Sequence, residues 1–263
     1  MTLRQQRPVE RIPLNYSYYL AAAIYNTLSK SSSEYATMLH DQGYAPEGRR
    51  QKFKYFTFSN LQIPIRTIER GEIVSRSRLI TLYLSSPKEE FLQHLILGLF
   101  SEGPLRINNA LFGKECIEKL PEPEWSENMI FSMLSPLAVS VYRDPSAGMN
   151  TKEYLRYDDP RLSDMLLHNL QAKYRGLFGC EPPENGIPFS VSFEEEYLKR
   201  VREKGRNVEK LITIKDSGGK ETRVKAIQCP FTVTGNPELI KVGYECGFGE
   251  NNSMGFGMVK VSS

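Results

Sequence analysis

The sequence predicts an α+β fold, because strand-like and helix-like segments follow one another in a similar order in both halves of the chain. The first half runs from a weakly alternating opening segment, TLRQQRP, through helices and strands to a closing strand. The second half begins and ends with strand-like segments and contains two helical ones. Each half therefore approximates β-α-β-β-α-β, the ferredoxin-like (RRM-like) arrangement. We predict two tandem ferredoxin-like domains, residues 1–125 and 126–263.

Hydrophobic periodicity and capping residues define the helices of the first half. A stretch after Asn15 places four apolar side chains on one helical face: Leu20, Ala21, Ile24 and Leu28. The pattern Ser-Ser-Ser-Glu at residues 31–34 predicts a capping box that begins a second short helix. That helix is expected to end near His40, with Gly43 as its stop. The segment EEFLQHLILGLFS predicts a third, amphipathic helix.

Aromatic and β-branched residues define the strands. In the first half, strands are predicted over FKYFTFS, residues 72–84 and residues 104–118. In the second half, they are predicted over FSMLSPLAVSVYR, over FGMVKV, and on both sides of the Asp-Ser-Gly-Gly turn in VEKLITIKDSGGKETRVKAIQCPFTV. An exposed edge on the first strand would let a second copy pair with it, so a homodimer is one expectation.

Composition excludes several classes of protein. The 263 residues carry a net charge of +3, and 40% are hydrophobic, which is enough for ordinary cores. The four cysteines are far apart and form no C-x-x-C pair, which argues against a zinc site and a disulfide framework. We find no apolar run near the roughly 20 residues of a membrane helix and no signal-peptide pattern. We therefore expect a reduced, soluble, cytoplasmic protein without membrane association.

Five glycines are concentrated in GYECGFGENNSMGFG, residues 243–257. Glycine in an ordered element is unfavourable by roughly 0.5–1 kcal/mol relative to alanine, so such a cluster indicates a compensating use. A Walker loop is excluded because no lysine follows the glycines at the required position. A dinucleotide fingerprint does not fit either, because Gly247 and Gly249 lead from a helix into a strand. Tight turns and close approach of the main chain to a ligand remain as alternatives.

Several motifs together resemble one family. The segment GFGENNSMGFGMVKV is similar to the C-terminal glycine-rich loop of the CRISPR repeat-processing endoribonucleases, RAMP-superfamily enzymes that cleave pre-crRNA. The segment PLNYSYYL, followed by Ile24 and Tyr25, resembles the opening helix of that family. Leu39-His40-Asp41 with FKYFTFS resembles the segment of its catalytic histidine, and Leu134-Ser-Pro136 resembles the start of its second domain. The resemblance spans the chain in family order.

This resemblance implies a metal-independent cut in CRISPR repeat RNA, with no cofactor. The 2′-hydroxyl would attack the adjacent phosphate and leave a 2′,3′-cyclic phosphate (or 3′-phosphate) and a 5′-hydroxyl. The family's Tyr-His-Lys group corresponds to Tyr25, His40 and a lysine of KFK, for which Lys54 is the better match and Lys52 the alternative. The first strand lacks the alternation that is usual in the family. This difference affects the prediction for that edge of the sheet and does not affect the predicted site.

The glycine-rich loop is expected to bind RNA. The expected contacts are exposed main-chain amides of Gly247, Gly249, Gly255 and Gly257. Further donors at the tip of the loop are Asn251, Asn252 and Ser253. Phe248 and Phe256 would either stack on bases or anchor the loop in the core.

The proposed chemistry is also consistent with the residues themselves. Internal attack needs one proton removed and one donated, and a group that titrates near neutral pH contributes roughly 10²–10⁴-fold. His94 and His168 lie in apolar helical runs and are interpreted as packing or surface residues, whereas His40 ends a short helix and leads into GRRQKFK. Tyr25 lies at the edge of an apolar stripe, where its hydroxyl could position an RNA oxygen. The alternatives are a C-cap role for His40 and boundary packing for Tyr25.

A lysine beside these groups would stabilise the negative charge that develops on phosphorus. Lys54 suits this role, although both Lys52 and Lys54 could simply be solvated at the start of a strand. Neither alternative needs a metal, and we find no Asp/Glu/His cluster with ligand spacing.

Three basic clusters would suit an RNA phosphate track. They comprise Arg49, Arg50, Lys52 and Lys54; then Lys199, Arg200, Arg202, Lys204 and Arg206; and finally Lys220, Arg223 and Lys225. A solvated face is the alternative for each, and the acidic residues 194–196 weaken the second cluster. The alternative function is a non-catalytic RNA-binding subunit of a CRISPR effector complex. The pair Tyr25 and His40 favours the nuclease, because a subunit that only binds needs no titratable group there.

Overall fold

The computed structural model describes residues 1–44, 52–142, 152–215 and 221–262. Its framework is two four-stranded antiparallel sheets, one in each half of the chain. The strands of the first half are β1 (Thr2–Gln5), β2 (Glu10–Pro13), β3 (Thr57–Phe58), β4 (Arg66–Glu69), β5 (Glu72–Ser75), β6 (Leu79–Thr81), β7 (Leu84–Ser85), β8 (Leu105–Ile107) and β9 (Ala110–Cys116). Its helical elements are α1 (Ser17–Ser31), α2 (Ser33–Thr37), a π-helical turn (Met38–Gln42) and α3 (Glu89–Phe100).

The first sheet has the strand order β6-β1-β9-β8. The segment from β3 to Gln62 continues this layer beyond β6. β3 pairs with β7, and Gln62 forms a bridge to Thr81 of β6. Buried residues of α1 and α3 join those of the sheet in one core. This arrangement is ferredoxin-like. A separate three-stranded sheet, β2-β5-β4, lies outside it.

The expectation of an exposed edge at the first strand is wrong. β1 lies inside the sheet and pairs with β6 on one side and β9 on the other. Leu3 is fully buried. Because both sets of main-chain groups of β1 are already paired, this strand offers no edge to a second copy, and the argument for a homodimer is lost.

The helices of the first half follow their predicted pattern, with small shifts. α1 buries the predicted face, Leu20, Ala21, Ile24 and Leu28. The cap of α2 is Ser32, one residue after the predicted one, and its hydroxyl accepts from the Tyr35 amide at 3.1 Å. Gly43, with φ of 62°, ends the π-helical turn. The predicted strand over residues 104–118 is a β8–β9 hairpin, because Asn108 adopts a left-handed turn conformation.

The second half contains β10 (Asn128–Met133), β11 (Ser140–Tyr142), β12 (Lys152–Tyr154), β13 (Ser190–Phe193), β14 (Glu209–Lys215), β15 (Glu221–Ile227), β16 (Phe231–Thr234) and β17 (Val259–Val261). Its helices are α4 (Leu162–Phe178), α5 (Glu195–Glu203) and α6 (Pro237–Cys246), and a 3₁₀ turn spans Asn252–Met254. The sheet order is β13-β16-β10-β17, again the ferredoxin-like order for β10-α4-β13-β16-α6-β17. The division at residues 125 and 126 stays a prediction.

One pair of predicted strands, β14 and β15, does not belong to the four-stranded sheet as expected. The two long strands flanking the Asp-Ser-Gly-Gly segment, β14 and β15, form a separate ribbon, and the sheet instead uses β13 and β16. A hairpin satisfies its own hydrogen bonds, so alternation along the chain does not reveal which sheet it joins. Residues 216–220 of that turn lie outside the described residues.

The two halves are packed together by the segment that contains Lys54. Phe56 and Phe58 lie in the first core, whereas Phe53 and Tyr55 lie in the second. The change from one core to the other occurs at Tyr55. Its φ is 47°, an uncommon value for a bulky residue. Lys54 is thereby held at the boundary between the halves. Over the described ranges, every helix is too short or too polar to cross a membrane.

Candidate active site

Tyr25 lies on α1 with its ring packed at the margin of the first core. The ring contacts Phe56 edge-on, with centroids 5.9 Å apart. Its hydroxyl is buried and has no hydrogen-bond partner among the described residues. Burial raises the pKa of Tyr25, and the nearby Ser253 side chain offsets part of that rise. The phenol therefore stays protonated at neutral pH and can donate a hydrogen bond.

His40 lies in the π-helical turn, a local widening that is frequent at functional sites. Its exposed ring stands edge-on to Tyr25, with centroids 5.1 Å apart and an interplanar angle of 84°. Nδ1 donates to Asp41 Oδ1 at 2.7 Å. Because a carboxylate accepts, this contact assigns the hydrogen to Nδ1 and leaves Nε2 as the nitrogen available for proton exchange.

Lys54 joins these two residues. Its Nζ donates to the His40 carbonyl at 2.8 Å and lies 5.2 Å from the centroid of the Tyr25 ring. Burial lowers the pKa of Lys54, and the charge of Asp41 opposes part of that change. Lys52 is exposed and, within the described part of the chain, contacts neither ring. The structure therefore brings Tyr25, His40 and Lys54 together.

A groove of about 420 Å³ adjoins Lys54 between the two halves. Four lysines line it: Lys52, Lys54, Lys152 and Lys173. His168 and Asn169 of α4 and residues 249–253 of the glycine-rich loop also line it. Such a basic groove is suited to a polyanion.

The other two histidines agree with their predicted roles. His94 Nδ1 lies 2.9 Å from Ser31 Oγ, and its ring stacks on Tyr35 with centroids 4.6 Å apart. His94 is thus a packing residue. His168 is exposed, as a surface residue should be, and lines the groove.

The glycine-rich loop does not present its glycines as expected. Gly247, Gly249, Gly255 and Gly257 are all buried. The expectation of exposed amides is wrong for Gly255 and Gly257, because they donate to Asn252 O at 3.0 Å and Pro136 O at 2.7 Å. A Cβ on Gly257, whose φ is 75°, would lie 1.9 Å from Phe248 O, so the glycine serves the loop's own packing. Phe248 and Phe256 are fully buried anchors and do not present their faces to bases.

The polar residues of the loop divide into two groups. Asn252 is committed internally, since its Nδ2 donates to Phe248 O and Phe256 O, both at 3.0 Å, and its Oδ1 accepts from Lys173. The expectation that its side chain is a free donor for RNA is therefore wrong. Asn251 and Ser253 are partly exposed on the groove wall, and their contact with RNA stays a prediction.

Sequence reasoning missed two lysines of the groove. Lys173 follows Leu166 and Leu170 at helical spacing, and a lysine on an apolar helical face is a signal that could have found it. Lys152 pairs with Glu250, whose Oε1 also accepts from the Ser140 hydroxyl at 2.8 Å. Burial lowers the pKa of Lys152, but the bond to Glu250 and its charge outweigh this and raise it overall. Lys152 has no comparable signal in the sequence.

The remaining predicted basic residues contribute less to the groove. Arg49, Arg50 and Lys220 lie outside the described residues. On α5, Lys199 pairs with Glu196 at 2.9 Å and Arg200 with Glu194 at 3.9 Å, which neutralises part of that cluster. In residues 1–44, 52–142, 152–215 and 221–262, no three His, Cys, Asp or Glu side chains are grouped to hold a metal ion.

Comparison with known proteins covers nearly the whole chain. Residues 11–117 match the family described as CRISPR-associated protein Cas6, N-terminal, and residues 120–261 match CRISPR associated protein Cas6, C-terminal. The chain is 36% identical over 250 residues to CRISPR-associated endoribonuclease Cas6 1 of Methanocaldococcus jannaschii, covering 94% of this chain and 86% of that protein. It is 32% identical over 260 residues to CRISPR-associated endoribonuclease Cas6 of Pyrococcus furiosus, covering 95% of this chain and 84% of that protein.

Solved structures agree with these sequence matches. A structure of CRISPR associated protein Cas6 superposes with a TM-score of 0.73 at 33% identity, covering 100% of both chains. A second, described as the characterization of a Cas6-related gene from Pyrococcus furiosus, gives a TM-score of 0.79 at 25% identity and covers 99% of this chain and 96% of that one. This chain, with tandem ferredoxin-like domains and a Tyr-His-Lys group beside a basic groove, belongs to the Cas6 family of CRISPR-associated endoribonucleases.

Proposed function

We propose that this chain cleaves CRISPR repeat RNA without a metal ion, by attack of a 2′-hydroxyl on the adjacent phosphate. The new bond joins the 2′-oxygen to phosphorus, and the bond to the 5′-oxygen breaks. The products are a 2′,3′-cyclic phosphate, which a water molecule can open to a 3′-phosphate, and a 5′-hydroxyl. The observation that carries the proposal is the convergence of Tyr25, His40 and Lys54 beside the basic groove.

His40 is the proton-transfer residue. Attack removes a proton from the 2′-oxygen and adds one to the 5′-oxygen, and the free Nε2 of an exposed imidazole suits such a transfer. Tyr25 stays protonated, and its hydroxyl, which is buried in the RNA-free chain, positions the 2′-oxygen or a phosphate oxygen as a donor once RNA binding uncovers it. Lys54 stabilises the negative charge on the pentacoordinate phosphorus. Lys52 lines the same groove and contacts the RNA backbone.

The decisive experiment incubates repeat RNA with the protein in excess EDTA. Cleavage should persist, and a 2′-deoxy substitution at the cut should abolish it, because the attacking oxygen is then absent. His40→Ala should abolish cleavage and leave RNA binding nearly unchanged. His94→Gln, outside the groove, is the matched control and should cut at the wild-type rate. Cleavage that needs a divalent ion, or an active His40→Ala variant, contradicts the mechanism.

A modified substrate identifies which proton His40 transfers. Sulfur in place of the bridging 5′-oxygen leaves as a thiolate and needs no proton. If His40 protonates the leaving oxygen, this substrate should restore cleavage by His40→Ala. If His40 instead removes the 2′-proton, the variant should stay inactive on both substrates.

The alternative function is that of a non-catalytic RNA-binding subunit of a CRISPR effector complex. Tight binding of repeat RNA without cleavage would favour it. The nuclease proposal places the catalytic group in residues 1–125 and the glycine-rich loop in residues 126–263, in a cytoplasmic protein of antiviral defence. Association with an effector complex or a homodimer is tested by measuring the mass of the purified protein with and without RNA.

A further inference from the structure

Lys173 is a buried cation whose hydrogen bonds are all directed at the glycine-rich loop. The residue is 3% exposed. Its Nζ donates to Gly247 O at 2.6 Å, Gly249 O at 2.8 Å and Asn252 Oδ1 at 2.8 Å. An ammonium group has three N–H bonds, so these acceptors use all of them. Lys173 therefore has no hydrogen left for RNA.

The three acceptors connect Lys173 to the rest of the loop. Asn252 also bonds to the rest of the loop, because its Nδ2 donates to Phe248 O and Phe256 O. Phe256 O also accepts from Thr57 Oγ1 of β3 at 3.0 Å, which ties the loop to the first half of the chain. The loop is thus held from α4 on one side and from β3 on the other.

The residue after Asn252 reaches the catalytic group. The 3₁₀ turn that contains Ser253 packs against α1, the helix that carries Tyr25. Met254 of this turn packs on the same core as the Tyr25 ring. The Ser253 side chain lies near the buried Tyr25 hydroxyl. Tyr25 in turn contacts His40 and Lys54. A continuous series of contacts therefore runs from the ammonium of Lys173 through Asn252 and the 3₁₀ turn to α1, which carries Tyr25.

We propose that Lys173 is a positioning residue for RNA cleavage, which holds the glycine-rich loop so that Ser253 stays against the Tyr25 hydroxyl. This inference rests on the proposed function. Lys173 acts from behind the loop, without touching the RNA. A buried ammonium is unfavourable unless its hydrogens are satisfied, and the loop carbonyls supply that satisfaction. Burial lowers the pKa of Lys173 to about 8, in keeping with a dry site.

The test compares Lys173→Met with Ser253→Ala. Single-turnover rates are measured at saturating protein, and affinity is measured with uncleavable 2′-deoxy repeat RNA. Lys173→Met should slow cleavage on the order of 10²-fold, the effect of a misplacement of about 1 Å, while the Kd changes by less than about threefold. Ser253→Ala should also slow cleavage, by a larger factor than any loss of affinity that follows from removing its own predicted contact with RNA. Lys241→Met, on α6 and paired with Glu122 outside the groove, is the matched control and should behave as wild type.

A double variant separates positioning from general destabilisation. If Lys173 acts through Ser253, the double variant should be no slower than Lys173→Met alone, because coupled residues are not additive. Additive losses, a loss of affinity as large as the loss of rate, or a folded Lys173→Met variant with the wild-type rate would overturn the inference. If Lys173→Met does not fold, a wild-type rate for Ser253→Ala overturns it.

Failure of the proposed function gives a different result. In that case wild-type protein does not cut the RNA at all, and the loop can still be examined by amide hydrogen exchange. The Glu250 and Gly257 amides donate to Ala138 O and Pro136 O inside the loop packing. Lys173→Met should speed exchange at both if Lys173 holds the loop, and unchanged exchange would contradict that part of the inference.

Discussion

The three residues of the proposed catalytic group come from different local structures. Tyr25 lies on a helix, His40 lies in a π-helical turn, and Lys54 precedes Tyr55, whose φ is positive. Burial shifts the pKa values of Tyr25 and Lys54 in opposite directions. Burial raises the pKa of Tyr25, which keeps the phenol as a hydrogen-bond donor. Burial lowers the pKa of Lys54, so this lysine releases a proton more readily than a solvated one. His40 remains exposed.

The choice between Lys54 and Lys52 is settled by paired substitutions. Lys54→Ala should slow single-turnover cleavage by roughly 10²–10³-fold, because it removes a charge fixed beside Tyr25 and His40. Lys52→Ala should mainly weaken RNA binding, with a salt dependence lower by about one phosphate contact. The measurements are single-turnover rates and affinities at several salt concentrations. The reverse order of effects on rate would assign the role to Lys52.

At the scale of elements, the glycine-rich loop is a packed connection between α6 and β17. Its glycines permit main-chain contacts with Asn252, Phe248 and Ala138 that a side chain would block. Its tip is a 3₁₀ turn, which contains Ser253 and packs against α1. The loop therefore contributes to the proposed catalytic site through its shape, and Asn251 and Ser253 are partly exposed on the groove wall.

Gly257→Ala tests the packing of this loop. The added Cβ would lie 1.9 Å from Phe248 O, so the loop must move as well as strain its backbone. Gly103→Ala is a matched control, since Gly103 has a similar φ of 88° and no atom near the added Cβ. Urea unfolding should show a loss of about 1–3 kcal/mol for Gly103→Ala and a clearly larger loss for Gly257→Ala. Equal losses would contradict the close packing.

At the scale of the whole molecule, two cores meet through residues that follow one another in the chain. Phe53 and Tyr55 enter the second core, and Phe56 and Phe58 enter the first. The groove lies along this junction, and its lysines come from both halves. Stability of either core therefore affects the geometry at Lys54.

The dependence of stability on alkaline pH tests the first core. Burial raises the pKa of Tyr16 to about 12, and its hydroxyl accepts from the Leu61 amide at 2.9 Å. Below pH 10 both folded and unfolded states keep the proton, and between pH 10 and 12 only the unfolded state releases it, so stability falls. Tyr16 should account for a loss of about 2–3 kcal/mol over this range.

Tyr16→Phe provides the comparison, because the other ionisable groups are the same in both proteins. The unfolding free energies of wild type and variant, measured in urea at pH 9 to 12, should converge as pH rises. A difference that stays constant across this range would mean that the Tyr16 hydroxyl is not buried as described.

The sequence by itself determined the features that depend on neighbours along the chain. The buried face of α1, the repeated ferredoxin-like order and the segments of Tyr25, His40 and Lys54 all follow from local patterns and motifs. Only the tertiary structure decided which strands pair, that β1 is central, that Asn252 bonds inward, and that Lys173 holds the loop. The physical reason is that these pairings depend on groups far away in sequence. β1 pairs with β9, more than a hundred residues later. The helical spacing that indicates burial of Lys173 does not show which carbonyls its ammonium will bind.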